Sequence, residues 1–265
     1  MLYTKLAMRK PIKELGQNFL LEKDIALAMV DSLGVKQGEV VVEIGPGRGI
    51  ITQILVEKIN REKIQVKAVE IDKNLVELLN RKYSHTSGLE IIEDNILDWL
   101  PNFIPEKRYK IIGSLPYYIT SPILHKIIQQ GENISTAVLM LQKEVAEKIV
   151  QDAPQASYLS TYLKTFYQLE LMREVPRSFF EPQPKVDGAI IRMERLSTPL
   201  IESSEMENYE DFLHLGFSKP RKMLNKTFSK EMLNEIGIDE TLRPQHVSVE
   251  KWIELFRIRK TSSLK

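Results

Sequence analysis

Apolar and polar positions along the first two thirds of the chain switch repeatedly between two periods. Residues 22–33 set Ile25, Met29 and Leu33 four apart, the spacing of one helix face. Residues 39–44 (EVVVEI) are apolar and β-branched and stop at glycines, as a strand buried on both faces does. Residues 50–59 return to helical spacing through Ile51, Leu55 and Ile59. Residues 65–71 (QVKAVEI) predict a second strand, and Asp72 is placed to cap the helix carrying Leu75, Val76, Leu78 and Leu79. Residues 89–93, 109–113 and 137–141 predict three more strands. Between the last two, Ser121 reads as a helix N-cap with Pro122 in the first turn, and another helix starts at Lys143.

Strands and helices that alternate over short connections predict an α/β fold with a doubly wound parallel sheet. Two later strand-like runs, 168–175 and 189–196, flank residues 178–187 (SFFEPQPKVD) and predict an antiparallel hairpin at the sheet edge. The chain turns polar and acidic over 197–208, which reads as a linker holding Pro199. Beyond it only short amphipathic helical patterns follow, at 209–217, 223–228, 231–236 and 249–258. The expected organisation is a domain of residues 1–197 and a small all-helical domain of residues 198–265.

Composition narrows the chemistry. The chain has 265 residues, 43% of them hydrophobic, and no cysteine. That size buries a core without metal or disulfide staples. The missing thiols exclude Fe–S clusters, thiolate zinc sites and a cysteine nucleophile. His85, His125, His214 and His246 show no ligand spacing, so no metal is expected. No apolar run is long enough to cross a bilayer and no leader pattern opens the chain, which predicts a soluble cytoplasmic protein. The formal net charge is only +1, yet two segments are basic without an acid. One carries Lys5, Arg9, Lys10 and Lys13; the other carries Lys219, Arg221, Lys222, Lys226 and Lys230. Such segments suit a localised anionic partner.

Glu43-Ile44-Gly45-Pro46-Gly47-Arg48-Gly49 joins the first predicted sheet strand to its helix. Glycines there let the backbone turn sharply and approach a ligand at the carboxyl edge of the sheet. The spacing is G-x-G-x-G, unlike the G-x-G-x-x-G of dinucleotide folds. With Glu43 just before it, the turn suits a ligand with a cationic amino-acid end better than a pyrophosphate. Glu70 closes the next strand and is placed for ribose hydroxyls; Asp94 closes the third and can accept from an adenine amine. Ser114-Leu115-Pro116-Tyr117 closes the fourth strand. Carbonyls and a hydroxyl there can accept both hydrogens of an exocyclic amine, and the tyrosine can stack on a base. Methyl transfer to a base amine needs such a set, and hydride transfer does not.

With these motifs the chain resembles the ribosomal RNA adenine dimethyltransferase family known as KsgA or RsmA, which is related to the Erm methyltransferases and the mitochondrial transcription factor B proteins. The resemblance runs nearly end to end. It includes Leu15-Gly16-Gln17-Asn18-Phe19-Leu20, Val42-Glu43-Ile44-Gly45-Pro46-Gly47, Ala68-Val69-Glu70-Ile71-Asp72, Glu93-Asp94 and Leu115-Pro116-Tyr117. It continues with Phe180-Glu181-Pro182-Gln183-Pro184-Lys185-Val186-Asp187 and Pro220-Arg221-Lys222-Met223-Leu224. The resemblance implies a Rossmann-like class I methyltransferase domain and S-adenosyl-L-methionine as cofactor. Asn18, Leu20, Glu43, Gly45, Gly47, Glu70, Asp94 and Ser114 would hold it. The target adenine would sit over Ser114, Leu115, Pro116 and Tyr117, with Phe179 or Phe180 on its other face. The implied substrate is two adjacent adenines in the last hairpin of small-subunit rRNA, dimethylated on N6 in a pre-30S particle by a monomeric protein. One position departs from the pattern: the family has Asn where this chain has Ser114, whose hydroxyl reaches less far.

Three other readings remain at this point. An Erm-type enzyme would act on large-subunit rRNA. An assembly factor would bind rRNA with weak catalysis or none, and Ser114 supports it. A nicotinamide dehydrogenase is disfavoured by the glycine spacing and the Leu115-Pro116-Tyr117 turn.

Overall fold

A computed structural model describes residues 16–262. The basic segment expected at residues 1–13 lies outside the described residues. The strands are β1 (Phe19–Leu20), β2 (Val40–Ile44), β3 (Gln65–Glu70), β4 (Leu89–Glu93), β5 (Tyr109–Ser114), β6 (Ile134–Gln142), β7 (Tyr167–Val175), β8 (Phe180–Glu181) and β9 (Gly188–Arg195). The α-helices are α1 (Lys23–Leu33), α2 (Ile50–Glu62), α3 (Lys73–Lys82), α4 (Ile96–Asn102), α5 (Thr120–Gln129), α6 (Lys143–Val150), α7 (Tyr158–Lys164), α8 (Met206–Phe217), α9 (Lys230–Glu235) and α10 (Val249–Ser262).

Seven strands form one sheet in the order β4-β3-β2-β5-β6-β9-β7. The pairs β2–β3, β2–β5, β3–β4 and β5–β6 are parallel, and β9 joins β6 antiparallel with Gly188 opposite Gln142. This is the Rossmann-like arrangement with an antiparallel edge that the alternation predicts. The strand order reverses between β2 and β5, and that reversal opens a crevice beyond their carboxyl ends. Val41, Val66, Ile112, Val138 and Ile190 from the sheet pack with Ile25, Met29, Leu33, Ile51 and Leu55 from α1 and α2 in one buried cluster. Lys110 is only 6% exposed; its ammonium bonds the Gly34 carbonyl at 2.6 Å and pairs with Glu39 at 2.9 Å. A buried cation is tolerated because both partners meet it.

The chain divides into two compact units that are not consecutive stretches. One holds the chain up to Ala146 together with Glu170–Glu194; the other holds Glu147–Leu169 and everything from Arg195 on. A cut at 197 would leave 147–169 with the sheet, yet the hydroxyls of Tyr158 and Tyr162 on α7 both donate to Glu210 on α8, at 3.2 and 3.1 Å. Trp252 is fully buried in this second unit among Phe212, Phe217 and Phe228.

Local chemistry shifts several expected boundaries. Asp72 caps α3 as expected, accepting from the Asn74 N–H at 2.9 Å. Ser121 is not a cap: a 3-10 turn at Tyr117–Ile119 runs straight into α5, so Ser121 and Pro122 lie inside the first turn. The pattern at 223–228 yields only a 3-10 turn, Leu224–Lys226. α4 was not expected; Asn95 caps it through the Leu97 N–H.

Gly113 lets β2 and β5 lie close. A Cβ there would stand 2.7 Å from the Ile44 carbonyl oxygen and 3.0 Å from the Ile44 Cβ. Both are strand atoms with little room to yield. Gly113→Ala is expected to cost about 1–3 kcal/mol of unfolding free energy in a denaturant titration; an unchanged midpoint would contradict this account of strand spacing.

Candidate active site

A cleft opens at the carboxyl ends of β2, β3, β4 and β5. Its walls include Gln17, Asn18, Phe19 and Leu20, the turn from Ile44 to Arg48, Glu70, Ile71, Asp94, Ile96, Ser114, Leu115, Pro116, Tyr118 and Phe180. These residues come from six separate stretches, four of them brought together because parallel strands end on one edge.

The glycine turn is held from below by Glu70, which is 5% exposed. Its Oε2 accepts from the Gly47 N–H and its Oε1 from the Asp72 N–H, both at 3.0 Å. One carboxylate thus ties the turn after β2 to the start of α3. Burial raises its pKa, and backbone donors at Asp72, Gly47 and Ile71 oppose that rise. Gly45, Gly47 and Gly49 take φ of 62°, 58° and 82°, the left-handed region that favours glycine. A Cβ on Gly45 would meet nothing within 4 Å, so the backbone faces open space at the cleft. A Cβ on Gly47 would press on the Phe19 ring at 3.1 Å.

A strap crosses the turn. β1 pairs antiparallel with β8, setting Phe19 opposite Glu181 and Leu20 opposite Phe180. The Arg48 guanidinium lies 4.4 Å from the centre of the Phe19 ring and bonds Glu181 at 2.5 Å. Gln17 donates to Asp72 at 3.0 Å. Burial alone would raise the Asp72 pKa, but hydrogen bonds from Gln17 and Asn74 outweigh it and hold the group below the usual range.

Most of the expected site residues share this cleft: Asn18, Leu20, Gly45, Gly47, Glu70, Asp94, Ser114, Leu115, Pro116 and Phe180. Asp94 is exposed at the rim, its Oδ1 accepting from the Asn95 N–H. The Pro116 carbonyl accepts from the Ile119 N–H at 3.3 Å. The 3-10 turn therefore uses one lone pair of a carbonyl expected to serve a target amine. Tyr117 opens that turn, and its ring lies outside the described atoms.

Two expected contacts change. Phe179 is not on the wall: it packs half-buried against the core, and its carbonyl accepts from the Leu21 N–H at 2.8 Å. Of Phe179 and Phe180, Phe180 lines the cleft. Glu43 is not on the wall either. It is 1% exposed, behind the turn, and neither carboxyl oxygen finds a hydrogen-bond partner of good geometry. Burial dominates its environment and pushes its pKa up to about 8; Thr52 on α2 opposes the rise and the Glu70 charge adds to it. Alternation explains the miss, since Glu43 and its neighbour Ile44 point to opposite faces of β2. Gln17, Ile71, Ile96 and Tyr118 were not singled out as ligand contacts and do line the cleft. Tyr118 is 56% exposed and so is not core packing.

The lining fits a nucleoside with an amino-acid tail. Apolar Ile71 and Ile96 can flank a planar base and Glu70 and Asp94 supply acceptors; the Gly45, Gly47 and Gly49 N–H groups already donate to Val69, Glu70 and Pro46, so the glycine turn supplies close approach. The cation on the wall, Arg48, is committed to Glu181, so no free cation among the described lining residues awaits a pyrophosphate. This is the fold and cleft of a Rossmann-like methyltransferase.

Comparison with known proteins agrees. Residues 8–260 match the family model for ribosomal RNA adenine dimethylase, and the chain belongs to that family. A protein of Hydrogenobaculum sp. (strain Y04AAS1) named ribosomal RNA small subunit methyltransferase A is 42% identical over 245 residues, 92% of this chain and 91% of that one. A protein of the same name from Sulfurihydrogenibium sp. (strain YO3AOP1) is 33% identical over 94% of this chain and 96% of that one. Among solved structures, the 23S rRNA methyltransferase ErmE superposes with a TM-score of 0.74 at 27% identity, over 91% of this chain and 98% of that one. A dimethyladenosine transferase from Plasmodium falciparum superposes with a TM-score of 0.77 at 22% identity, over 92% and 98%, and shares the fold.

The buried Glu43 has a consequence for stability. Its folded pKa of about 8 lies above the ordinary value of 4.5. Below pH 4.5 it is protonated in both states and neutral to stability. As pH rises toward 8 the unfolded chain ionises first, so stability falls. The full loss is bounded by ~5 kcal/mol at ~1.4 kcal/mol per pKa unit. Glu43→Gln is expected to flatten the decline between pH 5 and 8 in denaturant titrations; parallel curves for the two proteins would contradict the buried, neutral carboxyl.

Proposed function

We propose that the protein uses S-adenosyl-L-methionine to dimethylate N6 of two adjacent adenines in the 3′-terminal hairpin of small-subunit rRNA. The observation that carries this is the shared cleft. The glycine turn, the strand-end acids Glu70 and Asp94, and the Ser114–Pro116 corner all line it. Family membership and relatives named for the small subunit support the substrate over a large-subunit RNA.

Bound S-adenosylmethionine would supply a methyl group activated by its sulfonium. In this reading Asn18, Leu20, Gly45, Gly47, Glu70 and Asp94 hold it. Glu70 and Asp94 offer carboxylate acceptors to the ribose and the adenine, and Ile71 and Ile96 exclude water from the base. The target amine is a weak nucleophile because its lone pair is shared with the ring, so alignment is the main task. The Ser114 hydroxyl and the Leu115 carbonyl would accept the amine hydrogens and favour the pyramidal nitrogen that forms as the bond is made. Pro116 stiffens the corner, Tyr117 and Phe180 flank the flipped base, and stacking offsets part of the cost of extruding it. The proton leaves to water.

Lys219, Arg221, Lys222, Lys226 and Lys230 are all exposed on the helical unit. We assign them to rRNA phosphates. Action on a pre-30S particle, as a cytoplasmic monomer, completes the reading. No helix among the described residues is long and apolar enough to cross a membrane.

Purified protein with labelled S-adenosylmethionine is expected to label adenine N6 in unmethylated small subunits and leave large subunits unlabelled. Label on the large subunit would favour an Erm-type activity; no label with the cofactor bound would favour an assembly factor. Ser114→Asn is expected to raise the single-turnover rate severalfold, because the amide oxygen reaches further. A rate unchanged or lowered would contradict the role given to Ser114.

A further inference from the structure

The cleft leaves one buried acid unexplained. Glu43 lies on β2, one residue before Ile44 and two before Gly45, both on the cleft wall. It is 1% exposed and both carboxyl oxygens lack a well-formed hydrogen bond. From α2 it faces the buried Thr52, whose side chain and backbone N–H oppose the rise in its pKa. From β3 the charge acting on it is the Glu70 carboxylate, of the same sign. Its register partners, Ala68 on β3 and Ile112 on β5, are apolar. A buried carboxylate facing another acid, with Thr52 alone opposing the cost, is hard to ionise.

Resting on the cofactor reading above, we propose that Glu43 is a charge-selecting residue behind the cleft. It is protonated when the cleft is empty, and it gives its proton to solvent when a cationic sulfonium cofactor binds. Ile44 pairs with Gly113, so Ser114 lies beside Gly45 across the sheet, and a sulfonium held at that corner would be roughly 8 Å from Glu43. At an effective dielectric near 20, such a charge lowers a carboxyl pKa by roughly 1 to 2. Burial sets the starting pKa at about 8, so this crosses the range where the group changes state. The step balances simply: the Glu43 O–H bond breaks, its electron pair stays on the carboxylate, and the proton goes to buffer.

The function is discrimination. Methyl transfer turns the sulfonium into a neutral thioether. Glu43 then faces one positive charge fewer, takes a proton back and stops favouring the ligand in the cleft. Affinity for S-adenosylmethionine should therefore rise with pH relative to S-adenosylhomocysteine, because only the cation drives proton release from Glu43.

The test is isothermal titration of the full chain with each ligand at pH 7, in buffers of different ionisation heat. The two ligands share adenosine and an amino-acid tail, and the titration of that tail is common to wild type and variant. The quantity read is the difference in protons released between the ligands, compared between wild type and Glu43→Gln. We expect S-adenosylmethionine to release about half a proton more than S-adenosylhomocysteine in the wild type, relative to the variant. We expect the affinity ratio of the two ligands to grow several-fold from pH 6 to 8 in the wild type alone. Equal differences in wild type and variant, with both ligands bound, would overturn the inference and leave the cofactor reading standing. Failure of the wild type to bind either ligand would overturn the cofactor reading itself, and the inference with it. Should the variant not fold, difference infrared spectra of the wild type decide. Loss of a protonated-carboxyl band on adding S-adenosylmethionine supports the inference, and an unchanged band overturns it.

Discussion

The Glu70 carboxylate is the point on which the site rests. A parallel sheet leaves the ends of its strands to be joined by loops that nothing in the ladder holds. Here a single buried side chain accepts from the Gly47 N–H with one oxygen and the Asp72 N–H with the other. That fixes the glycine turn and the N-terminus of α3 relative to each other. Asp72 then caps α3 and takes a hydrogen bond from Gln17, which ties in the segment leading to β1. Because the donors are backbone groups, the arrangement does not depend on flexible side chains. Three backbone N–H groups act on its four lone pairs, so the group that shapes the cleft keeps capacity to meet a ligand.

A second layer closes over the first. The Phe19 ring lies on Gly47, Arg48 lies on Phe19, and Arg48 reaches Glu181 beside Phe180. The cofactor turn and the segment expected against the target base are thus linked through one cation. A purely electrostatic pair at the surface would be worth little. Stacking on an aromatic face and pairing of β1 with β8 make it part of a packed strap. The cleft therefore has a floor of strand ends and glycine backbone, and a roof of aromatic and apolar groups.

Much of this was legible in the sequence because it depends on local pattern. Residues 39–44 carry a β-branched apolar run and residues 65–71 alternate polar with apolar positions, so both read as strands. The glycines, Glu70 and Asp94 fall at strand ends that the alternation itself locates. What was hidden depends on geometry. Ser121 looks like a cap until the preceding turn is seen to be already wound. α4 carries Pro101 inside a short amphipathic run and depends on its Asn95 cap. Residues 147–169 go with the C-terminal helices because two tyrosines find Glu210, some fifty positions away. Phe179 and Phe180 are equivalent by type, and only the pairing of β8 with β1 sets Phe180 at the cleft. Glu43 stands beside the glycines in sequence and behind them in space, a difference that strand alternation decides.

The most direct test of the whole account is a crystal structure of the protein with sinefungin, an amine analogue of the cofactor. The account predicts the adenine between Ile71 and Ile96, the ribose on Glu70, and the amino-acid tail along Gly45 and Gly47. The amine of the analogue should point at Ser114 and Pro116. The analogue bound elsewhere, or turned so that its amine faces away from the Ser114 corner, would contradict it.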